Sequence, residues 1–162
     1  MTVISKFTEQ DWPDVWSVLE PIFRAGETYA YAPEISEPDA RRVWVEAPHS
    51  TYVARDADGA ILGTYYLKAN QPGLGAHVCN CGYATGDAAR GRGVASAMCE
   101  HSQDAARAAG FLHMQYNLVA TSNEGAVRLW QKHGFDIVGT LPGAFHNQRL
   151  GYVDAHVMYK TL

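Results

Sequence analysis

Apolar and polar residues alternate from Val3 to Phe7, the period of a β-strand. Behind that run Trp12, Val15, Trp16, Leu19 and Phe23 recur at helical spacing. Thr8, three residues before Asp11, is a weak capping signal for this helix, and Gly26 ends it. Glu27 to Pro33 is an aromatic loop, after which Ser36 caps a second helix with Pro38 in its first turn. That helix carries Val43 and Trp44 inward and closes at Pro48; Trp12, Trp16 and Trp44 are expected in the core. Thr51–Arg55 and Ala60–Leu67 are β-rich runs joined by the hairpin signal Asp56-Ala57-Asp58-Gly59. Asn70 to Gly75 is the next turn, and a strand from about His77 to Thr85 follows it. A glycine-rich loop, Gly86 to Gly93, leads into an alanine-rich helix from Val94 to Ala109, stopped by Gly110. Phe111–Ala120 reads as a strand, and Ser122 or Asn123 caps a helix running to His133, with Gly134 behind it. Phe135–Leu141 and Tyr152–Lys160 complete the strands. The order βααβββαβαββ predicts a single α/β domain over residues 1–162 with a mixed sheet.

Composition narrows the class. Seventeen acidic against 13 basic side chains leave a net charge of −4, which argues against a broad nucleic-acid or anionic-membrane surface. Runs such as Ile61 to Leu67 fall far short of the roughly 20 apolar residues that span a bilayer. Met1–Lys6 leads into no apolar stretch of the kind a secretory leader carries. Three cysteines, Cys79, Cys81 and Cys99, leave one over under any internal pairing, so a reducing cytosol is the expected compartment. The seven histidines form no HExxH, and CxxC is absent; no metal site is expected.

The segment with chemistry in it is Arg90-Gly91-Arg92-Gly93-Val94-Ala95, set between a strand and a long helix. A helix start presents unpaired N–H groups and the positive end of a dipole, which suits an anion. Glycines at 91 and 93 admit close backbone approach, and Arg90 and Arg92 add cationic donors to an acidic chain. A tight turn with solvated arginines would read the same way; the strand–loop–helix setting favours the anion site. No Walker string is present, and Gly91-Arg92-Gly93-Val94-Ala95-Ser96 ends in serine where a dinucleotide fingerprint needs glycine or alanine.

Arg90-x-x-Gly93-x-Ala95 resembles the R/Q-x-x-G-x-G/A signature of the GNAT superfamily of N-acetyltransferases. Residues Asn123 to Phe135 are similar to its second signature, Asn-x-x-Ala-x-x-Leu-Tyr-x-x-x-Gly-Phe. The resemblance implies a mostly antiparallel sheet flanked by helices and splayed between the strands near 77–85 and 111–120. It also implies acetyl-CoA as cosubstrate, with its pyrophosphate on the amides of Arg90, Gly91, Arg92, Gly93, Val94 and Ala95. The pantetheine arm would lie in the splay beside Thr85, and a backbone N–H near Gly82 to Thr85 would polarise the thioester carbonyl. Where many members carry a thiolate-protonating Tyr, this chain has Trp130, whose indole is no acid; Trp130 is expected in the pantetheine wall.

A narrower resemblance, carried by His77 to Tyr83, Asn117, Asn123 and Gly26 to Tyr29, is to the fungal acetyltransferases of proline analogues such as azetidine-2-carboxylate. It implies that Asn80 holds an acceptor carboxylate, that Tyr83 and Tyr29 shape its pocket, and that Asn117 and Asn123 orient the acetyl group or waters. Helix capping alone also explains Asn123. On a strand Asn80 faces away from Cys79 and Cys81, and those thiols read as small buried hydrophobes. Glu27, with His77 and His113 behind it, is the candidate base. The expected acceptor is a small-molecule amine, such as an amino acid or a proline-like imino acid. A peptide N-terminus and a non-catalytic acyl-CoA-binding role are the alternatives, and a homodimer is compatible with either.

Overall fold

The computed structural model describes residues 1–162. Its frame is one seven-stranded sheet. Strands β1 (Val3–Lys6), β2 (Ser50–Arg55), β3 (Ile61–Ala69) and β4 (Val78–Thr85) form an antiparallel meander. Beyond them lie β5 (His113–Ala120), β7 (Gly151–Thr161) and β6 (Asp136–Asn147), giving the spatial order β1-β2-β3-β4-β5-β7-β6. Every neighbouring pair is antiparallel except β4 and β5, which are parallel.

Helices cover both faces. Helix α1 (Trp12–Ala25) starts with Pro13 in its first turn and ends at Gly26, whose φ of 62° is open to glycine at little cost. It sets Val15, Leu19 and Phe23 against Val53, Tyr66 and Trp44 on one face of the sheet. Helix α3 (Val94–Ala108) and Trp130 of α4 (Glu124–Lys132) pack Met98, Cys99 and the indole against Leu67, Cys79 and Tyr116 on the other. No helix is long and apolar enough to cross a membrane.

Two elements differ from the sequence reading. The second helix is short, α2 (Glu37–Arg41), with Ser36 Oγ accepting from Asp39 N–H at 3.2 Å. It continues as a π turn over Arg42–Glu46, where Ala47 N–H reaches Arg42 O at 2.9 Å. Trp44 lies in that turn, fully buried, its indole N–H donating to Thr64 Oγ1 at 3.1 Å. Strand β6 runs on to Asn147 instead of ending at Leu141. Past Leu141 the strand continues through a bulge that contains Pro142 and Gly143, and Asp154 of β7 accepts from Gly143 N–H at 2.9 Å.

Candidate functional site

Strands β4 and β5 pair only at Val78↔His113 and Cys79↔Met114, then diverge. β4 keeps unbroken register with β3 up to Gly63↔Thr85. Val78 O accepts from Asn70 on the β3 side, and Gly86 N–H donates to Leu62 O on the same side. Alternation along an antiparallel ladder therefore turns the N–H and C=O groups of Cys81, Tyr83 and Thr85 toward the gap. A strand edge with unpaired donors and acceptors can take an extended amide-bearing chain as one more strand.

At one end of this gap stands the start of α3. Gly91 and Gly93 have φ of 70° and 71°, and no atom lies within 4 Å of where a Cβ on either would stand. The N–H groups of Gly91, Gly93, Val94, Ala95 and Ser96 make no hydrogen bond within the protein. The amides of Arg90 and Arg92, expected in the same cradle, are instead used in turns, on Asp87 O at 3.2 Å and Ala89 O at 3.1 Å. Their guanidinium groups have acidic neighbours, Asp87 at 3.1 Å from Arg90 and Asp56 at 3.7 Å from Arg92. The open amides are thus those of the two glycines and the helix start, an arrangement that suits an anion, with two exposed arginines around it.

On the α1 face is a cavity of about 300 Å³ lined by Tyr29, Tyr31, Leu118, Phe145, His146 and Gln148 among others. Tyr29 donates its phenolic hydrogen to Tyr83 O, on the gap edge of β4. Burial pushes that phenol well above its ordinary pKa, so it stays a donor at neutral pH. Leu118 comes from β5, where an extra residue between Tyr116 and Val119 bulges the strand against β7. Residues tied to both diverging strands therefore wall the cavity. Gln148 N–H donates to Gly26 O at 3.0 Å, and Arg149 Nε to Glu27 Oε1 at 2.6 Å, fastening the Gly26–Pro33 loop to the end of β6.

The residues singled out from sequence are only partly gathered. Tyr29 and Thr85 lie at the gap or cavity, and Trp130 is buried against Tyr83 and Tyr116, ring centroids 4.9 and 5.2 Å away. Asn123 caps α4, accepting from Ala126 N–H at 3.3 Å. Asn80 and Tyr83 do not share a pocket, because their side chains stand on opposite faces of β4. Tyr83 Oη lies in the α3-side core, 2.7 Å from Ser102 Oγ and 2.8 Å from Tyr116 Oη. Asn80 is 7% exposed, and its amide donates to Gln115 O at 2.9 Å. Asn117 is exposed and bonded to Asn70 at 2.7 Å and Gln115 at 3.0 Å. Glu27 sits at the rim, paired to Arg149. Phe145, His146 and Gln148 were not signalled, because β6 read as ending before them.

Cys79 and Cys81 are buried and unpaired, as is Cys99. Burial pushes the Cys81 and Cys99 thiols up, so both are neutral at pH 7.

Known proteins share this layout. N-acetyltransferase aca1 of Schizosaccharomyces pombe is 30% identical over 68% of this chain, which spans about half (54%) of that relative's length. A GCN5-related N-acetyltransferase from Kribbella flavida is 43% identical, with 99% of this chain and 98% of that one covered and a TM-score of 0.94. A GNAT superfamily phosphinothricin acetyltransferase from Sinorhizobium meliloti, solved in complex with AcCoA, is 17% identical and shares the fold. It has a TM-score of 0.87, with 99% of this chain and 88% of that one covered. The Acetyltransferase (GNAT) family model matches residues 12–135, more than half the chain, and with these relatives places the protein in the GNAT acetyltransferase family.

Proposed function

We propose that the protein is an acetyl-CoA-dependent N-acetyltransferase that passes the acetyl group directly to the amine of a small molecule, an amino acid or a proline-like imino acid. The observation that carries this reading is the continuity of three features: the open amides before α3, the unpaired β4 edge, and the aromatic cavity tied to that edge through Tyr29. The residues present suit acetyl-CoA. Gly91, Gly93, Val94, Ala95 and Ser96 offer amides to its pyrophosphate, and Cys81, Tyr83 and Thr85 offer main-chain partners to its pantetheine amides. Acetyl-CoA supplies a thioester, an acyl group already activated toward an amine. The Sinorhizobium meliloti relative of the same fold is in complex with AcCoA.

The chain's own part is to bind, align and polarise. A β4 N–H turned into the gap can donate to the thioester carbonyl oxygen. Neutral Cys81 and Cys99 are poor nucleophiles, which favours direct transfer over an acyl-enzyme. The acceptor has to arrive as a neutral amine. The amine of a free amino or imino acid is mostly charged at pH 7, as a lysine amine is, so it has to lose a proton before it attacks. A volume of about 300 Å³ is at the small end of ligand pockets and fits an amino acid better than a folded substrate.

The test is release of free thiol from acetyl-CoA with a panel of amino acids, imino acids, simple amines and a peptide. Turnover on small amines supports the proposal. Turnover on the peptide alone, or CoA binding without any turnover, contradicts it.

A further inference from the structure

What ends the pairing of β4 with β5 is not a bulge in β4, which stays in register with β3 along its whole length. The bulge in β5 lies between Tyr116 and Val119, beyond the last β4–β5 pair. Continuing the register Val78↔His113 and Cys79↔Met114 by one step of a parallel ladder would aim the Cys81 N–H at Gln115 O. That carbonyl instead accepts from a side chain. Asn80 Nδ2 donates to it at 2.9 Å, and the divergence begins at this point.

The Asn80 side chain is itself held. Tyr66 Oη donates to Asn80 Oδ1 at 3.4 Å, which orients the amide with its NH₂ toward the Gln115 carbonyl. The Tyr66 ring can lie there because residue 82 has no side chain; a Cβ on Gly82 would stand 2.5 Å from the ring. Asn80 is 7% exposed, and burying an amide side chain among Tyr66, Gly82 and β5 is tolerable only with partners of this kind.

We infer that Asn80 is a positioning residue that opens the cosubstrate gap: its amide takes the place of the Cys81 N–H on Gln115 and so leaves the Cys81 main-chain groups free for the pantetheine. The side chain caps the β5 edge, and the cosubstrate is directed onto β4 alone. This differs from a carboxylate-holding role, and it does not depend on which amine is the acceptor.

The test compares the wild type with Asn80→Leu, which removes both polar atoms at similar size. The Cys81 amide is followed by hydrogen exchange in the free protein. In the wild type it exchanges readily and is protected when acetyl-CoA is added. In the variant, Gln115 O is released and the Cys81 amide becomes protected without ligand. The Kd for acetyl-CoA rises about tenfold, as expected for one hydrogen bond that must be broken before binding. The acceptor KM stays within about twofold. If Asn80→Leu does not fold, Asn80→Ala serves, since a methyl group cannot donate to Gln115 O. A Cys81 exchange rate unchanged by the substitution overturns the inference, as does a rise in acceptor KM with acetyl-CoA binding intact. The exchange experiment needs no acceptor, so failure to find turnover would count against the proposed function and not against this role.

Discussion

Replacing Gly93 by Val separates the anion cradle from ordinary backbone strain. The position has φ of 71°, in the left-handed region, where a side chain costs about 1–2 kcal/mol. No atom lies within 4 Å of the new Cβ, so the Cβ itself meets nothing. For a chain of 162 residues that cost corresponds to a fall in Tm of roughly 2–8 °C. The second effect acts only on the ligand. A valine here stands in the space that a pyrophosphate would use to reach the amides of Gly93 to Ser96. Losing one charge-assisted hydrogen bond forfeits about 1.5–3 kcal/mol, or about ten- to a hundredfold in Kd. Gly59 supplies the control, since its φ is 87° and nothing lies within 4 Å of its Cβ position either. Calorimetric titration with CoA and thermal melts on Gly93→Val and Gly59→Val form the assay. Both variants should lose similar stability, and only Gly93→Val should lose affinity. Wild-type affinity in Gly93→Val, with a melt lowered as in Gly59→Val, would refute the pyrophosphate assignment.

Other consequences follow from the same geometry. Leu118→Trp fills the aromatic cavity and should raise the acceptor KM at least tenfold while leaving the Kd for acetyl-CoA unchanged; equal effects on both would separate the cavity from the acceptor. Trp130→Ala removes an indole packed between Tyr83 and Tyr116 and should cost about 3–5 kcal/mol in urea denaturation. A loss below about 1 kcal/mol would mean that the indole is not a core element. Burial pushes the Asp11 carboxyl up, but hydrogen bonds from Thr8 and Arg55 outweigh it and hold the group below its ordinary value. The folded state then binds fewer protons than the unfolded one. The resulting stability is present above the unfolded pKa of about 3.9 and is lost as pH falls through the folded value. Asp11→Asn should therefore flatten the acid limb of the stability–pH curve; parallel curves for the two proteins would contradict this.

The elements with strong periodicity or clear punctuation were legible in the sequence. Val94–Ala108 has no internal Gly or Pro and a glycine on either side, and it folds within one residue of its expected end. The open backbone from Gly91 to Ala95 was legible because its geometry is local: glycines at positive φ followed by a helix start. What escaped was non-local. The run Phe135–Leu141 reads as a whole strand, but it continues through a bulge bonded to Asp154 on the neighbouring strand, so the Phe145 and His146 wall was hidden. The pairing of Arg90 N–H with Asp87 and of Arg92 N–H with Ala89 depends on the turn geometry before α3, which motif spacing does not encode. Asn80 was singled out by resemblance, as the holder of an acceptor carboxylate. In the fold its amide is bonded to Gln115 O and Tyr66 Oη, partners on other strands that no local pattern names. The split of Asn80 and Tyr83 onto opposite faces follows from simple alternation along β4.

The most direct measurement is the crystal structure of the protein with acetyl-CoA and a substrate amine or unreactive analogue. The pantetheine should run along Cys81, Tyr83 and Thr85 of β4, with the acetyl group opening onto the cavity walled by Tyr29, Tyr31, Leu118 and Phe145, and the amine seated there. Density for the acetyl group outside the β4–β5 gap, or an amine bound away from that cavity, would contradict the account.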